Sequence, residues 1–200
     1  MWVFGSEGND LTSTLVRNPG DWSADSFRSV EVSGTDEFDD VAYGRGGWVA
    51  VNNDPPYIVA GDGFEWNGVS SPATDAMNGV TYANGIWVAV GASGQILTSP
   101  HAAGPWTVPT ALPNVTEYLS GIDYDAGTNT WVAGGSGGRV LTSSNPAGTW
   151  TNVGTVTGTG GLTRVVAGSS GRWVASALAG RIITTDTPTI LGSWIGVSMP

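Results

Sequence analysis

Short runs of alternating apolar and polar residues recur along the chain, each closed by a cluster of turn-forming residues. One set is Val41-Ala42-Tyr43, Val80-Thr81-Tyr82, Ile122-Asp123-Tyr124 and Val165-Val166-Ala167. Gly- and Asn-rich segments follow it: Gly44 to Gly47, Ala83-Asn84-Gly85, the longer Asp125 to Thr130, and Gly168 to Gly171. Such compositions predict hairpin turns. A second set opens on tryptophan, as in Trp48-Val49-Ala50-Val51, with counterparts at Trp87, Trp131 and Trp173. In each, alanine stands two residues beyond the indole and so on the same face of the strand. A third set is Ile58-Val59, Ile96-Leu97, Val140-Leu141 and Ile182-Ile183. It leads to Gly-x-Trp or Gly-x-x-Trp corners ending at Trp22, Trp66, Trp106, Trp150 and Trp194, and a fourth strand is expected after each corner.

The tryptophans turn this pattern into a repeat. Trp2, Trp48, Trp87, Trp131 and Trp173 are spaced 46, 39, 44 and 42 residues apart, and the corner series 44, 40, 44 and 44. All ten tryptophans of the chain fall into the two series, which assigns them to core and corner packing. Four short antiparallel strands in a repeat of this length predict an all-β, five-bladed β-propeller in one domain over residues 1–200. The repeats run approximately over 1–37, 38–76, 77–118, 119–161 and 162–200. The first begins at its tryptophan strand, so the expectation is a first blade without an innermost strand of its own. Three completions stay open: a three-stranded blade, a C-terminus that reaches round, or a strand lent by another chain. Phe27 to Val32 is an additional strand candidate.

Two stretches carry a resemblance. Gly61-Asp62-Gly63-Phe64-Glu65-Trp66 and Thr142-Ser143-Ser144-Asn145-Pro146-Ala147-Gly148-Thr149-Trp150 resemble the Asp-box (BNR) corner of sialidase-like repeats. The Trp-Val-Ala-Val-Gly strand followed by Gly-x-Ile-Leu-Thr-Ser is similar to the repeats of photosystem-II-assembly-factor-like propellers. The resemblance covers nearly the whole chain and implies a fold more than an activity, because in that family the corner is structural. The aspartate itself stands only at Asp62. The corners near His101 and Asn145 are therefore expected to be held by backbone bonds and tryptophan packing.

Composition narrows the function classes. The 200 residues include 31 glycines, and 40% are hydrophobic, which fits many short strands and turns rather than disorder. A net charge of −10, with all seven cations arginine, argues against nucleic acid as a partner. No apolar run is long enough for membrane insertion, and no signal peptide is read at the N-terminus. Cysteine is absent, so disulfides and thiolate metal sites are excluded.

Candidate chemistry is sparse. Aromatics outside the repeat pattern are better ligand contacts than the tryptophans. Phe38 and Tyr118 lie in connections that gather at one end of a propeller channel, as do Asp39, Asp40 and the turn carrying Tyr57. The run Asp36-Glu37-Phe38-Asp39-Asp40 lacks the spacing of a calcium loop and reads as a solvated acidic turn. His101 is the only histidine and has no Ser or Asp relay beside it; no catalytic residue, cofactor or metal is expected. The sialidase resemblance would require three arginines on a carboxylate, an acidic residue and a glutamate-activated tyrosine. Arg139 and Arg181 share a repeat position on different blades, Arg164 is unmatched, and Asp123 and Asp125 are not arranged as a catalytic pair. The expectation is a non-enzymatic structural or binding module with a protein partner, placed by analogy at a virion surface as a head-decorating or tail-associated protein, otherwise in the cytoplasm. The alternatives are a glycan-binding lectin and a sialidase-type hydrolase.

Overall fold

The computed structural model describes residues 2–5, 10–14, 27–31, 37–168 and 171–197, with side chains in the last two ranges. Five antiparallel sheets follow one another along the chain. Strands β1 (Trp2–Gly5), β2 (Asp10–Thr14) and β3 (Phe27–Glu31) make the first, in that order. The second is β4 (Phe38–Gly44), β5 (Gly47–Asn52), β6 (Ile58–Gly61) and β7 (Trp66–Gly68). The third is β8 (Met77–Ala83), β9 (Ile86–Gly91) and β10 (Ile96–Ser99). The fourth is β11 (Leu119–Asp125), β12 (Thr130–Gly135), β13 (Arg139–Ser143) and β14 (Thr151–Thr155). The fifth is β15 (Leu162–Ala167), β16 (Trp173–Ala177), β17 (Arg181–Thr185) and β18 (Ile195–Val197). Among the described residues no helix is long and apolar enough to cross a membrane.

Two strand expectations are corrected. Phe27 to Val32 is not an additional strand: β3 pairs with β2 and takes the fourth-strand place of its repeat. Trp106-Thr107-Val108 is not a full strand, because only Thr107 bridges to Thr98. Pro109 has no N–H to continue a ladder. The chain instead crosses to the next sheet, where the Ala111 N–H donates to Gly148 O and the Trp150 N–H to Ala111 O.

One interface recurs between sheets. Val49, Val51 and Ile58 of the second sheet pack against Met77, Trp87, Ala89 and Leu97 of the third. Val88, Val90 and Ile96 of the third meet Leu119, Trp131, Ala133 and Leu141 of the fourth. Val132 and Val140 then meet Leu162, Trp173, Ala175 and Ile183. A bulky indole beside an alanine methyl faces branched aliphatics each time, the complementarity that dense packing demands. Tyr43, Tyr82 and Tyr124 stand opposite Trp48, Trp87 and Trp131 across the hairpins, with ring centroids 4.7–4.9 Å apart. Trp22 lies outside the described residues, and Trp2 is described in backbone only.

The corners are held by more than backbone and indole. Asp62 Oδ1 accepts the N–H groups of Phe64 (2.8 Å) and Glu65 (2.9 Å). Where aspartate is missing, a hydroxyl at the end of the preceding strand replaces it. Ser99, Ser143 and Thr185 accept the N–H groups of His101, Asn145 and Thr187 at 3.2, 3.0 and 3.0 Å. The Trp106, Trp150 and Trp194 indoles donate to carbonyls of Ala102, Pro146 and Pro188.

Candidate functional site

The first strand of each of the last four sheets carries a β-bulge at the same place. Register passes from Phe38 to Asp40, from Met77 to Gly79, from Leu119 to Gly121 and from Leu162 to Arg164. Asp39, Asn78, Ser120 and Thr163 are the extra residues. A bulge leaves its extra residue out of the ladder and re-aims its side chain. The apolar residue before each bulge anchors it: Phe38, Met77, Leu119 and Leu162 are all buried.

These four polar residues, with Tyr118 and Arg164, line one cavity of about 300 Å³. It is surrounded by β4, β8, β11 and β15, which pack on one another in that order. Side chains stitch the junctions. Asp40 Oδ2 accepts the Val80 N–H at 3.1 Å, Asn78 Nδ2 donates to Leu119 O at 3.0 Å, and Asp123 Oδ2 accepts the Ala167 N–H at 2.8 Å. Gly79 and Gly121 face the next first strand so closely that a Cβ on Gly121 would lie 2.9 Å from Arg164 Cα. Arg164, at the equivalent position of the fifth sheet, instead extends its guanidinium to Asp40 Oδ1 of the second sheet at 3.1 Å.

The electrostatics of the cavity are uneven. Asp40 is almost covered and is occupied by the Val41 and Val80 N–H groups and by Arg164. Among the described residues no cation pairs with Asp39. Although Asp39 remains exposed at the cavity mouth, partial burial first, then the charges of Glu37 and Asp40, push its carboxyl up to about 6. Tyr118 is 57% exposed. Ser136 holds its backbone, accepting the Tyr118 N–H at 3.1 Å and donating its own N–H to Tyr118 O at 2.8 Å.

The structure thus gathers Asp39 and Tyr118 at one site with Asp40 behind them. Phe38 is corrected from ligand contact to core residue: it is packed with Ala50 and Val59, because it precedes the bulge and faces inward. Tyr57 packs half-buried against the core between the second and third sheets and does not line the cavity. The acidic run is not a loop from Phe38 onward, since Phe38 to Asp40 open β4; Asp36 lies outside the described residues. Asn78, Ser120 and Thr163 are the lining residues that sequence reasoning missed. Asp125 closes a turn, accepting the Gly127 N–H and the Thr128 hydroxyl, and these bonds hold its carboxyl below the usual range. Arg139 is bound to Glu117 and, at 2.9 Å, to Asn152 Oδ1. Among the described residues no cluster of three His, Cys, Asp or Glu is placed to hold a metal ion.

No protein-family model matches the chain, and neither does any curated protein. Solved structures do. YCF48 bound to the D1 peptide superposes with a TM-score of 0.64 at 16% identity, over 94% of this chain and 62% of that one. The WD40 beta propeller domain of Doa1 gives 0.68 at 12% identity, over 91% and 59%. The computationally designed Ika8 protein gives 0.60 at 15%, over 94% and 55%. The fold is a β-propeller. The first strands of its last four sheets pack on one another in order, and the bulge cavity lies against them. The chain spans 62% or less of the length of these three structures.

Proposed function

We propose that this chain is a non-enzymatic protein-binding propeller that holds a segment of its partner at the bulge cavity. The observation that carries the reading is the convergence of four polar bulge residues, each left out of its own ladder, around a cavity with an exposed tyrosine. Bulges interrupt a ladder and lose its hydrogen bonds, so four at one place are a costly construction unless the polar ring is used. A neighbour solved with a bound peptide supports a polypeptide as the ligand. The sialidase alternative finds no support: of Arg139, Arg164 and Arg181, Arg164 alone lines the cavity. The lectin alternative relied on equivalent pockets between blades. A cleft lined by Thr130, Thr142, Ser143 and Thr189 differs in chemistry from one lined by Ala60, Gly68, Val69 and Ala102.

The test is a random peptide display selection on the chain. Peptides enriched on wild type are expected to bind a Ser120→Tyr variant, its cavity filled, at least about tenfold more weakly. Peptides that bind both equally would move recognition off the channel and overturn the reading. A place in a virion or comparable assembly is the setting we propose for the partner. Co-sedimentation with purified particles tests it, and a chain found only in the soluble fraction would remove it.

We also propose that the blades number five and close as a wheel. The fifth sheet supplies the support. On the face equivalent to Val132 and Val140, which are fully buried, Val174, Ile182, Ile195 and Val197 are exposed. Cross-strand register groups them, Ile182 opposite Val197 and Thr184 opposite Ile195. The repeating interface sets a tryptophan-bearing sheet against such a face, and the first sheet is the one tethered nearby, since β1 packs on β4. Arg164 of the fifth sheet then reaches across the place of the first blade to Asp40 of the second. Val174→Asp is expected to lower the unfolding free energy by about 2 kcal/mol, because closure would bury the new charge. An unchanged urea midpoint would show that the face stays bare.

A further inference from the structure

We infer that the bulge cavity is a receptor for one cationic side chain, an arginine or lysine of the bound segment. This rests on the binding role proposed above and adds the chemistry of the residue that enters. Among the described residues the cavity's one lining cation, Arg164, is already engaged by Asp40 at 3.1 Å, so an incoming anion would have to compete with a covered carboxylate. Asp39 has no such partner among the described residues, and Glu37 and Asp40 add negative charge beside it. Its carboxyl titrates near 6 because its own negative form is ill-accommodated, a state that an entering cation relieves.

The remaining groups suit the same guest. Asn78 spends its Nδ2 on Leu119 O, which leaves Oδ1 as an acceptor, and Ser120 presents a hydroxyl. Tyr118 stands exposed on the wall, and a ring face beside a cation is attractive by about 0.5–2 kcal/mol. One carboxylate with neutral oxygens falls short of the six to eight oxygen ligands that calcium takes. The polar lining disfavours an apolar side chain, whose entry would strand these groups unpaired.

The test is a nitrogen-15 NMR titration of the full chain with Nα-acetyl-arginine amide, Nα-acetyl-lysine amide and the uncharged isostere Nα-acetyl-citrulline amide. The cationic probes are expected to shift the Asn78, Ser120 and Thr163 amides saturably, with citrulline about tenfold weaker or more. Asp39→Asn is expected to remove most of that difference, and Tyr118→Ala to weaken both cations while Tyr118→Phe retains them. Their spectra also report whether each variant is folded. Equal response to citrulline and arginine, or cation-specific shifts unchanged in Asp39→Asn, overturns the inference. Cavity-dependent binding of selected peptides that is indifferent to Asp39→Asn would sink this inference alone and leave the binding role standing. Calcium chloride shifting the same amides at lower concentration than either cation would also overturn it.

Discussion

Replacing Trp131 by alanine is expected to lower the unfolding free energy by about 3–5 kcal/mol, the range for deleting a large buried aromatic. Trp131 is fully buried between the third and fourth sheets, against Val88, Val90 and Ile96, with the Tyr124 ring 4.7 Å away. Val88 and Val90 lie on β9, which is laddered on both sides, so the site can relax little and the cavity persists. The indole Nε1 is buried without a hydrogen-bond partner among the described residues. Trp131→Phe therefore breaks no bond and is expected to lose only about 1–2 kcal/mol, for the smaller ring. Trp48 is half-buried, so Trp48→Ala should fall well short of Trp131→Ala. Urea unfolding followed by far-ultraviolet circular dichroism gives all three. A phenylalanine loss equal to the alanine loss would mean that the indole N–H matters and that the packing account is wrong.

The same residue shows what the sequence made legible. Trp131 and Ala133 share one face of their strand, a large ring beside a small methyl that recurs in each tryptophan strand from Trp48 onward. The ten-tryptophan spacing then put that strand in line with four others, at Trp2, Trp48, Trp87 and Trp173. A periodic pattern is readable because every blade solves one packing problem with the same residue types. The bulges follow the same logic but were hidden by it. Phe38-Asp39-Asp40-Val41, Met77-Asn78-Gly79-Val80, Leu119-Ser120-Gly121-Ile122 and Leu162-Thr163-Arg164-Val165 share an apolar, polar, variable, branched-apolar order. Anchors three residues apart cannot share a face under strict alternation, so this break was the available signal for Asn78, Ser120 and Thr163. Other features were beyond pattern. Arg164 meets Asp40 across 124 positions, a pairing that only the curvature of the chain creates. Ser99, Ser143 and Thr185 substitute for a corner aspartate because an oxygen acceptor of any kind satisfies the same N–H.

Asp39 and Asp40 are adjacent carboxylates whose removal is expected to move stability in opposite directions. Asp40→Ala strips two strand N–H groups, Val41 and Val80, of a charged acceptor and unties the second sheet from the third. Bonds to a charged group are worth about 1.5–3 kcal/mol each, so a loss of about 2–4 kcal/mol is expected after partial re-solvation. The Arg164 pair adds little to this, because the guanidinium is 56% exposed. Asp39→Asn should do the reverse. Its carboxyl, raised to about 6 from 3.8, binds a proton more tightly in the folded protein than in the unfolded chain. Its favourable contribution is therefore complete below about 3.8 and lost as pH rises through 6. Wild type should lose stability across that window, whereas Asp39→Asn should not, and the variant should be the more stable by about 1 kcal/mol at pH 7 with solvent screening allowed for. Chemical denaturation at pH 4, 5, 6 and 7 measures both effects. Parallel pH profiles for wild type and Asp39→Asn would mean that Asp39 rests comfortably ionised. An uncompensated charge held at the cavity would then no longer explain why a cation should enter it. A bulge that places such a charge where it weakens the fold is instead what a site kept for a partner would retain.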